Sequence, residues 1–449
     1  MLDVLAVALT LSSLVPAQGD EIRRDPPAIE VVDAYIERYL ETFPSSALAA
    51  GRFDYASQLE NVDWEAWAAY NHETSESLSR LLVDPRLTSD ERLDVGLLLR
   101  HTRLTAHDHG EHGDFRHDPL MWSGLTATAH VYLLVRDDHP LPDRLEAARN
   151  RALALPQLTA QAETLLGSGD LDRIVAEHAQ LAARQVRGAA TFYRDGFARA
   201  ATDETADLAP ALEAAGTRAA EALDRFASFL DDLATRATGH PALGAERYAR
   251  RFQLVTGLDT PVDVVLRDAE RDLAAKRAEA AAYGRGVWRQ VFADTEPPTD
   301  DRAVLRALFD RLESDHAAST DDFVVHYRNL VDEAIDFARQ RDMVPIPETL
   351  GVTTARSPAF LAGQSVGGVY PAGPYNPNAD TLYFVPAPAD DASPEAKETF
   401  FRAFNDHFNI MITPHEIIPG HVLQLNLTAR MGRPVRWLFG DGVYVEGWG

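Results

Sequence analysis

Residues 260–273 read TPVDVVLRDAERDL, a type of pattern that is found along most of the chain and decides its fold. Thr260 is a suitable N-cap, Pro261 suits the first helical position, and Asp263 favours the positive end of a helix. Apolar residues recur on one helix face, at Val262, Val265, Leu266, Ala269 and Leu273. This stretch therefore predicts an amphipathic helix.

Similar patterns predict successive helices along residues 28–344, separated by Pro, Gly and Asp. The predicted helices span residues 30–42, 90–104, 143–166, 173–197, 208–237 and 321–339. We expect a kink at Pro156, because a proline inside a helix removes one backbone hydrogen bond. Alternation of the strand type is nearly absent from this region.

The composition changes after Pro345. Residues 351–388 are rich in Gly, Pro, Ala and Asn, and Thr381–Val385 is the best strand candidate. Helical patterning then returns at Pro394. We predict a mainly α fold, in which a large multi-helix body carries a small β/loop insert near residues 351–388. Residues 19–449 are expected to form a single domain.

The acidic composition restricts the classes of partner. The formal net charge is −26, and such a surface repels phosphate backbones and anionic lipids, so no nucleic-acid partner is expected. No run of about 18 apolar residues is present, so we expect no membrane insertion. Because the chain has no Cys, a metal site must use His, Asp, Glu and water as ligands.

The N-terminus resembles a secretory signal. An apolar stretch at residues 4–15 is followed by small residues near Ala17, which predicts a signal peptide over residues 1–18 and a periplasmic or secreted protein. Asp3 and the absence of Lys or Arg before the apolar stretch depart from the usual pattern. A misassigned start codon and a buried first helix are the alternatives.

Residues 413–424, TPHEIIPGHVLQ, contain the most chemical information. In the motif H-E-x-x-H, two His four apart on one helix face bind zinc, and the Glu is the general base. Here His421 follows His415 by six positions, which on an unbroken helix would turn the two rings about 120° apart. A break at Pro419 and Gly420 can bring the rings together. We therefore predict His415 and His421 as metal ligands and Glu416 as the catalytic base.

The same residues allow a structural explanation. Thr413 and Glu416 have the spacing of a capping box, with Pro414 at the first helical position. In that case a helix would begin here, and His415 would be an incidental residue of its first turn.

Glu446 is the predicted third ligand. It lies 25 residues beyond His421 in the segment Tyr-Val-Glu-Gly-Trp at residues 444–448, where a following helix can bring a carboxylate to the two His. The alternative for Glu446 is a solvated helix residue.

With the segments HEIIPGH (415–421) and EGW (446–448), the chain resembles the bacterial domain of unknown function 885 (DUF885) family, whose members resemble gluzincin-type zinc metallopeptidases. The likeness covers most of the chain. It implies one zinc ion held by His415, His421 and Glu446, with Glu416 as general base, in a hydrolase of peptide bonds. Family members usually continue well past the EGW segment, so we expect the chain to be incomplete at its C-terminus.

A peptide substrate would need binding groups beside the metal. If Thr381–Val385 were an edge strand, it could pair with an extended peptide and bring Tyr383 to it; the alternative is a core strand. Tyr370 is also predicted to line the cleft. A protein that binds ligands in the same helical cleft in the periplasm without turnover is the competing function.

A second group of histidines, His107, His109, His112 and His117, is set aside as a metal site. The neighbouring Gly110 and Gly113 indicate a solvated loop instead.

Overall fold

The structure is a computed structural model that describes residues 28–357, 368–388 and 392–449. The predicted signal peptide, residues 1–18, lies outside the described residues. The described part of the chain is mainly helical with one small sheet, as the sequence predicts. In the described residues no helix combines the length and the apolar character that crossing a membrane requires.

The N-terminal half is a body of ten helices around one large apolar core. They are α1 (Ala28–Thr42), α2 (Pro44–Ala49), α3 (Trp64–Leu82), α4 (Ser89–Thr105), α5 (Asp114–His117), α6 (Pro119–Thr128), α7 (Val131–Val135), α8 (Leu141–Gly167), α9 (Ala176–Asp195) and α10 (Ala209–Arg236).

Small residues bring the long helices of the body close together. The buried face of α9 consists mostly of alanines. On α10, a Cβ at Gly216 would lie 2.4 Å from the Tyr193 carbonyl oxygen of α9. Glycine is needed at this position because the two backbones touch there.

The sequence predicts where these helices lie better than where they end. Helix α8 continues through Pro156 as one helix. Helix α9 ends at Asp195, before its predicted end at residue 197, and a separate 3₁₀ turn, Phe197–Ala200, follows. The loop predicted around the second histidine group is wrong, because Ala106–Glu111 forms a π-helical turn that extends α4. In this turn His107 is buried and pairs with Asp108 (Nδ1 to Oδ1, 2.9 Å).

Three further helices form an outer arm: α11 (Ala245–Thr256), α12 (Val262–Phe292) and α13 (Asp301–Leu312). None of the residues of α11 is buried, and most of α12 is exposed. The predicted start of α12 needs correction: Pro261 occupies the N-cap position, with no side-chain cap, and the helix begins at Val262.

The remaining elements surround the predicted motif. They are α14 (Thr320–Gln340), β1 (Val352–Arg356), β2 (Gly368–Tyr370), β3 (Thr381–Val385), α15 (Pro394–Ala403), α16 (Asp406–Glu416), α17 (His421–Ala429), α18 (Pro434–Leu438) and α19 (Gly442–Trp448). A second apolar core joins α14, β3 and α15 to the chain around Ile417 and Ile418.

The sheet has the order β1-β3-β2, with β3 parallel to β1 and antiparallel to β2. All five residues of β3 are buried. The edge-strand interpretation of Thr381–Val385 is therefore wrong, because both of its edges are already paired. The strand is part of the core, and its side chains alternate between two packed faces.

Candidate metal centre

Helix α16 delivers His415 and Glu416 in its last turn. Asn405 caps its start by accepting a hydrogen bond from Phe408 N (3.0 Å). The capping-box alternative at Thr413 is wrong, because Thr413 lies inside this helix and not at its start. The helix ends at Glu416, and the following Ile417 has φ −108° and ψ −89°, outside the helical region.

A short break, Ile417–Gly420, separates α16 from α17. Ile417 and Ile418 fill the second core, the Ile418–Pro419 bond is cis, and α17 begins at His421. As a result, the rings of His415 and His421 lie with their centroids 4.5 Å apart. The break expected at Pro419 and Gly420 is therefore present, and it brings the two imidazoles together.

Gly420 is required here by close approach and not by an unusual φ angle. Its φ is −75°, which other residues adopt. However, a Cβ at this position would lie 1.7 Å from the His415 carbonyl oxygen and 2.6 Å from that of Pro414. The Gly420 N–H also donates to the Pro414 carbonyl (3.1 Å). The chain can fold back on α16 only because no side chain stands between them.

Glu446 reaches the two histidines from α19. Its Oε2 lies 4.0 Å from Nε2 of His415 and 3.8 Å from Nε2 of His421. The His421 side chain is 11% exposed, whereas that of Glu446 is 73% exposed. The candidate ligand group, His415, His421 and Glu446, is thus most buried at His421 and most open to solvent at Glu446.

The three side chains fit a zinc ion. One ligand atom from each lies within 4.8 Å of the other two, and within residues 28–357, 368–388 and 392–449 no other group of three such side chains is found. Ligands at about 2.0–2.1 Å from a tetrahedral zinc lie roughly 3.4 Å apart, so a small inward adjustment would complete the set. Two His and one Glu leave a fourth position open, as in catalytic zinc sites.

Glu416 stands outside the ligand group and close to two buried tyrosines. Burial raises the pKa of Tyr383, and Tyr327 and Glu416 raise it further. Burial and then Glu416 likewise raise the pKa of Tyr327. The Tyr327 hydroxyl donates to Asn409 Oδ1 of α16 (2.8 Å). Both phenols therefore stay protonated beside the carboxylate at neutral pH.

The structure separates the two tyrosines that the sequence assigns to substrate binding. Tyr383 faces the second core with Ile417 and Ile418. Tyr370 pairs with Leu382 across the sheet and packs on Phe384 and Tyr132, with ring centroids 5.3 and 5.6 Å away. Paired residues share a face, so Tyr370 lies on the opposite side of the sheet from Tyr383 and is not brought to the metal centre.

A cavity lies beside the π-helical turn, away from the three candidate ligands. It has a volume of about 760 Å³, and its lining includes His72, His109, His112 and His117. Burial lowers the pKa of the last three imidazoles. These side chains do not converge as a ligand group, so the cavity offers volume without a metal-binding geometry.

Sequence reasoning missed the residues that support the site from a distance. Arg100 of α4 pairs with Asp441, which caps α19, and Trp448 Nε1 donates to the Pro419 carbonyl oxygen (2.6 Å). Arg100 and Tyr327 carry no local signal of such a role, because their partners lie far along the chain. Trp448 was recognised only as part of the EGW segment.

Comparisons with known proteins agree with this fold. The model of a family described as bacterial protein of unknown function (DUF885) matches residues 44–449. A search of curated proteins finds no significant match. A solved structure from Shewanella oneidensis, assigned as a lipoprotein of unknown function, is similar with a TM-score of 0.68 and 25% identity, over 94% of this chain and 76% of that one. A structure from Colwellia psychrerythraea, also assigned as a lipoprotein, has a TM-score of 0.69 over the same shares. At 14% identity it shows the fold alone.

Proposed function

The chain belongs to the DUF885 family of bacterial proteins of unknown function, and on that premise we propose that it is a zinc-dependent hydrolase of peptide bonds. The observation that carries the proposal is the convergence of His415, His421 and Glu446 from three helices, with Glu416 next to His415 at the end of α16. This is the division of roles that metal-assisted hydrolysis needs.

In this proposal His415, His421 and Glu446 hold the zinc ion. When bound, zinc would polarise the scissile carbonyl and lower the pKa of a water molecule. Glu416 accepts the proton of the attacking water and passes it to the leaving amine. The protonated Tyr383 hydroxyl is a hydrogen-bond donor for the substrate, which is a second proposed role.

The proposal is tested by measuring metal content and peptide hydrolysis together. The purified protein should contain about one zinc per chain, His421→Ala should lose it, and a mixed peptide library should be cleaved only by the zinc-loaded protein. Glu416→Gln should keep the zinc and lose cleavage by at least about 100-fold, because it removes the general base. A protein that takes up no zinc would refute the metal centre.

The binding-protein alternative predicts a different result with the same samples. Zinc and peptide affinity would persist in the wild type and in Glu416→Gln, and neither would cleave any peptide. Tyr383→Phe tests the proposed substrate donor. If the Tyr383 hydroxyl binds the peptide, its removal should raise KM for the peptide and leave the zinc content unchanged.

We also propose that the protein is exported to the periplasm or secreted. The sequence pattern of residues 1–18 and the description of the similar Shewanella oneidensis structure as a lipoprotein support this. Fractionation of bacteria that express the full chain should find it outside the cytoplasm with residues 1–18 removed. Unprocessed protein confined to the cytoplasm would contradict export.

A further inference from the structure

Helix α19 carries a proposed zinc ligand although it has little packing of its own. Its described residues are Gly442–Trp448, and none of them is buried. The polar contacts at the two ends of this segment are therefore the ones to consider for the placement of Glu446.

The start of α19 is fixed by one carboxylate with two tasks. Asp441 Oδ1 accepts hydrogen bonds from the backbone N–H groups of Val443 (2.9 Å) and Tyr444 (3.3 Å). Asp441 Oδ2 lies 2.7 Å from a terminal nitrogen of Arg100 on α4. The helix cap is thereby attached to the helical body.

The contact is partly shielded from solvent. The side chains of Arg100 and Asp441 are 24% and 27% exposed. Near it, the buried Asp94 of α4 pairs with Arg433 and Arg436, which precede and begin α18. Two successive attachments to α4 therefore lead the chain to Asp441, and the hydrogen bond from Trp448 to Pro419 fixes the other end of α19.

We propose that Arg100 is a positioning residue for the metal centre: through Asp441 it sets the position of α19 and hence of Glu446. This inference rests on the proposed zinc site and adds the group that orients its third ligand. Arg100 pairs with Asp441 and not with any of the three proposed ligands. Residues that hydrogen-bond the ligands directly change metal affinity by about 10- to 100-fold. Arg100 acts one contact further away, through Asp441, so we expect an effect near the lower end of this range.

The test is the zinc dissociation constant of Arg100 variants, measured by competition with a chromophoric chelator. Arg100→Ala should weaken zinc binding by about 10-fold, and Arg100→Lys should restore part of the affinity. Asp441→Asn keeps a good capping residue and removes the charge pair, so it should weaken binding in the same direction. Arg103→Ala is the matched control, because Arg103 lies on α4 and bonds to Ser79 instead.

A double-variant comparison separates positioning from general destabilisation. In the background of Glu446→Ala, Arg100→Ala should cause no further loss of affinity, because the ligand that it positions is already absent. The absorption spectrum of the Co²⁺-substituted protein should change in Arg100→Ala and in Glu446→Ala alike. Circular dichroism verifies that each variant is folded.

The outcomes distinguish this inference from the proposed function. If the wild type binds zinc and Arg100→Ala and Asp441→Asn bind it equally well, the positioning role is overturned and the zinc site stands. An additive loss in the double variant also overturns it. If the wild type binds no zinc at all, the proposed function fails first, and the inference fails with it.

Discussion

At the scale of single residues, the candidate site depends on the lack of a side chain at Gly420 as much as on the side chains of its proposed ligands. Spacing identified His415, Glu416, His421 and Glu446, and it also indicated a break before His421. Spacing could not show why position 420 must be glycine. The reason is a contact between Gly420 and the carbonyl of His415, which exists only after the chain has folded back.

Gly420→Ala should therefore disrupt the proposed metal centre. The new methyl group would stand 1.7 Å from the His415 carbonyl oxygen, so the break must shift and separate the two imidazoles. We expect zinc affinity to fall by at least about 10-fold, as measured by chelator competition.

Gly188→Ala is the control for this variant. Gly188 is exposed on α9, and a Cβ there meets nothing within 4 Å. An alanine in the middle of a helix should stabilise the fold by about 0.5–1 kcal/mol without any effect on zinc. Equal zinc affinity in Gly420→Ala and the wild type would show that the break adapts to a side chain.

At the scale of elements, local sequence patterns predict the helices but not how the elements pair in space. The range of α10 agrees with its prediction within one residue because its apolar face repeats along the chain. The order of the strands could not be predicted from the sequence, because β1 pairs with a strand 29 residues further on through contacts that have no local signal. The π-helical turn was missed because Gly110 within it and Gly113 just after it also suit a loop.

The attachment of α18 to α4 gives a prediction at this scale. Asp94 is 4% exposed and its carboxylate pairs with both Arg433 and Arg436. Asp94→Asn would leave the guanidinium groups of Arg433 and Arg436 with only the exposed Asp90 as a counter-ion. We expect the free energy of unfolding to fall by about 2 kcal/mol or more in urea titrations, because removing one partner of a buried pair is costly.

The matched control is a surface pair. Arg187 pairs with Asp231 between α9 and α10, where both side chains are nearly half exposed. Arg187→Ala should cost less than about 1 kcal/mol. If Asp94→Asn costs no more than this control, the buried carboxylate does not stabilise the junction.

At the scale of the whole molecule, the large core should make the fold sensitive to acid. Burial, and to a smaller extent His109, lowers the pKa of His101 to about 3. The folded state then binds a proton on His101 less readily than the unfolded chain does. Stability from this group is complete above pH 6.5 and is lost as the pH falls from about 6.5 towards 3.

His101→Phe should remove part of this sensitivity and keep the ring contact with Phe439, whose centroid lies 4.1 Å away. Between pH 7.5 and 4.5, the free energy of unfolding of this variant should fall by about 2 kcal/mol less than that of the wild type. Urea titrations with EDTA present exclude an effect of metal release. The exposed His72→Phe is the control, and identical pH dependences for His101→Phe and the wild type would refute the prediction.

The pairing of α4 with Asp441 has a consequence for biosynthesis. Helices α1–α10 supply nearly all of the large core, to which Val435 and Phe439 are added later, so this body can begin to fold as the N-terminal part of the chain emerges, at the ribosome or after export. Residues 415–446 emerge much later and then meet a preformed surface on α4. A chain interrupted before Asp441 would have a folded body and only two of the three proposed zinc ligands, so we expect tight metal uptake to follow the synthesis of α19.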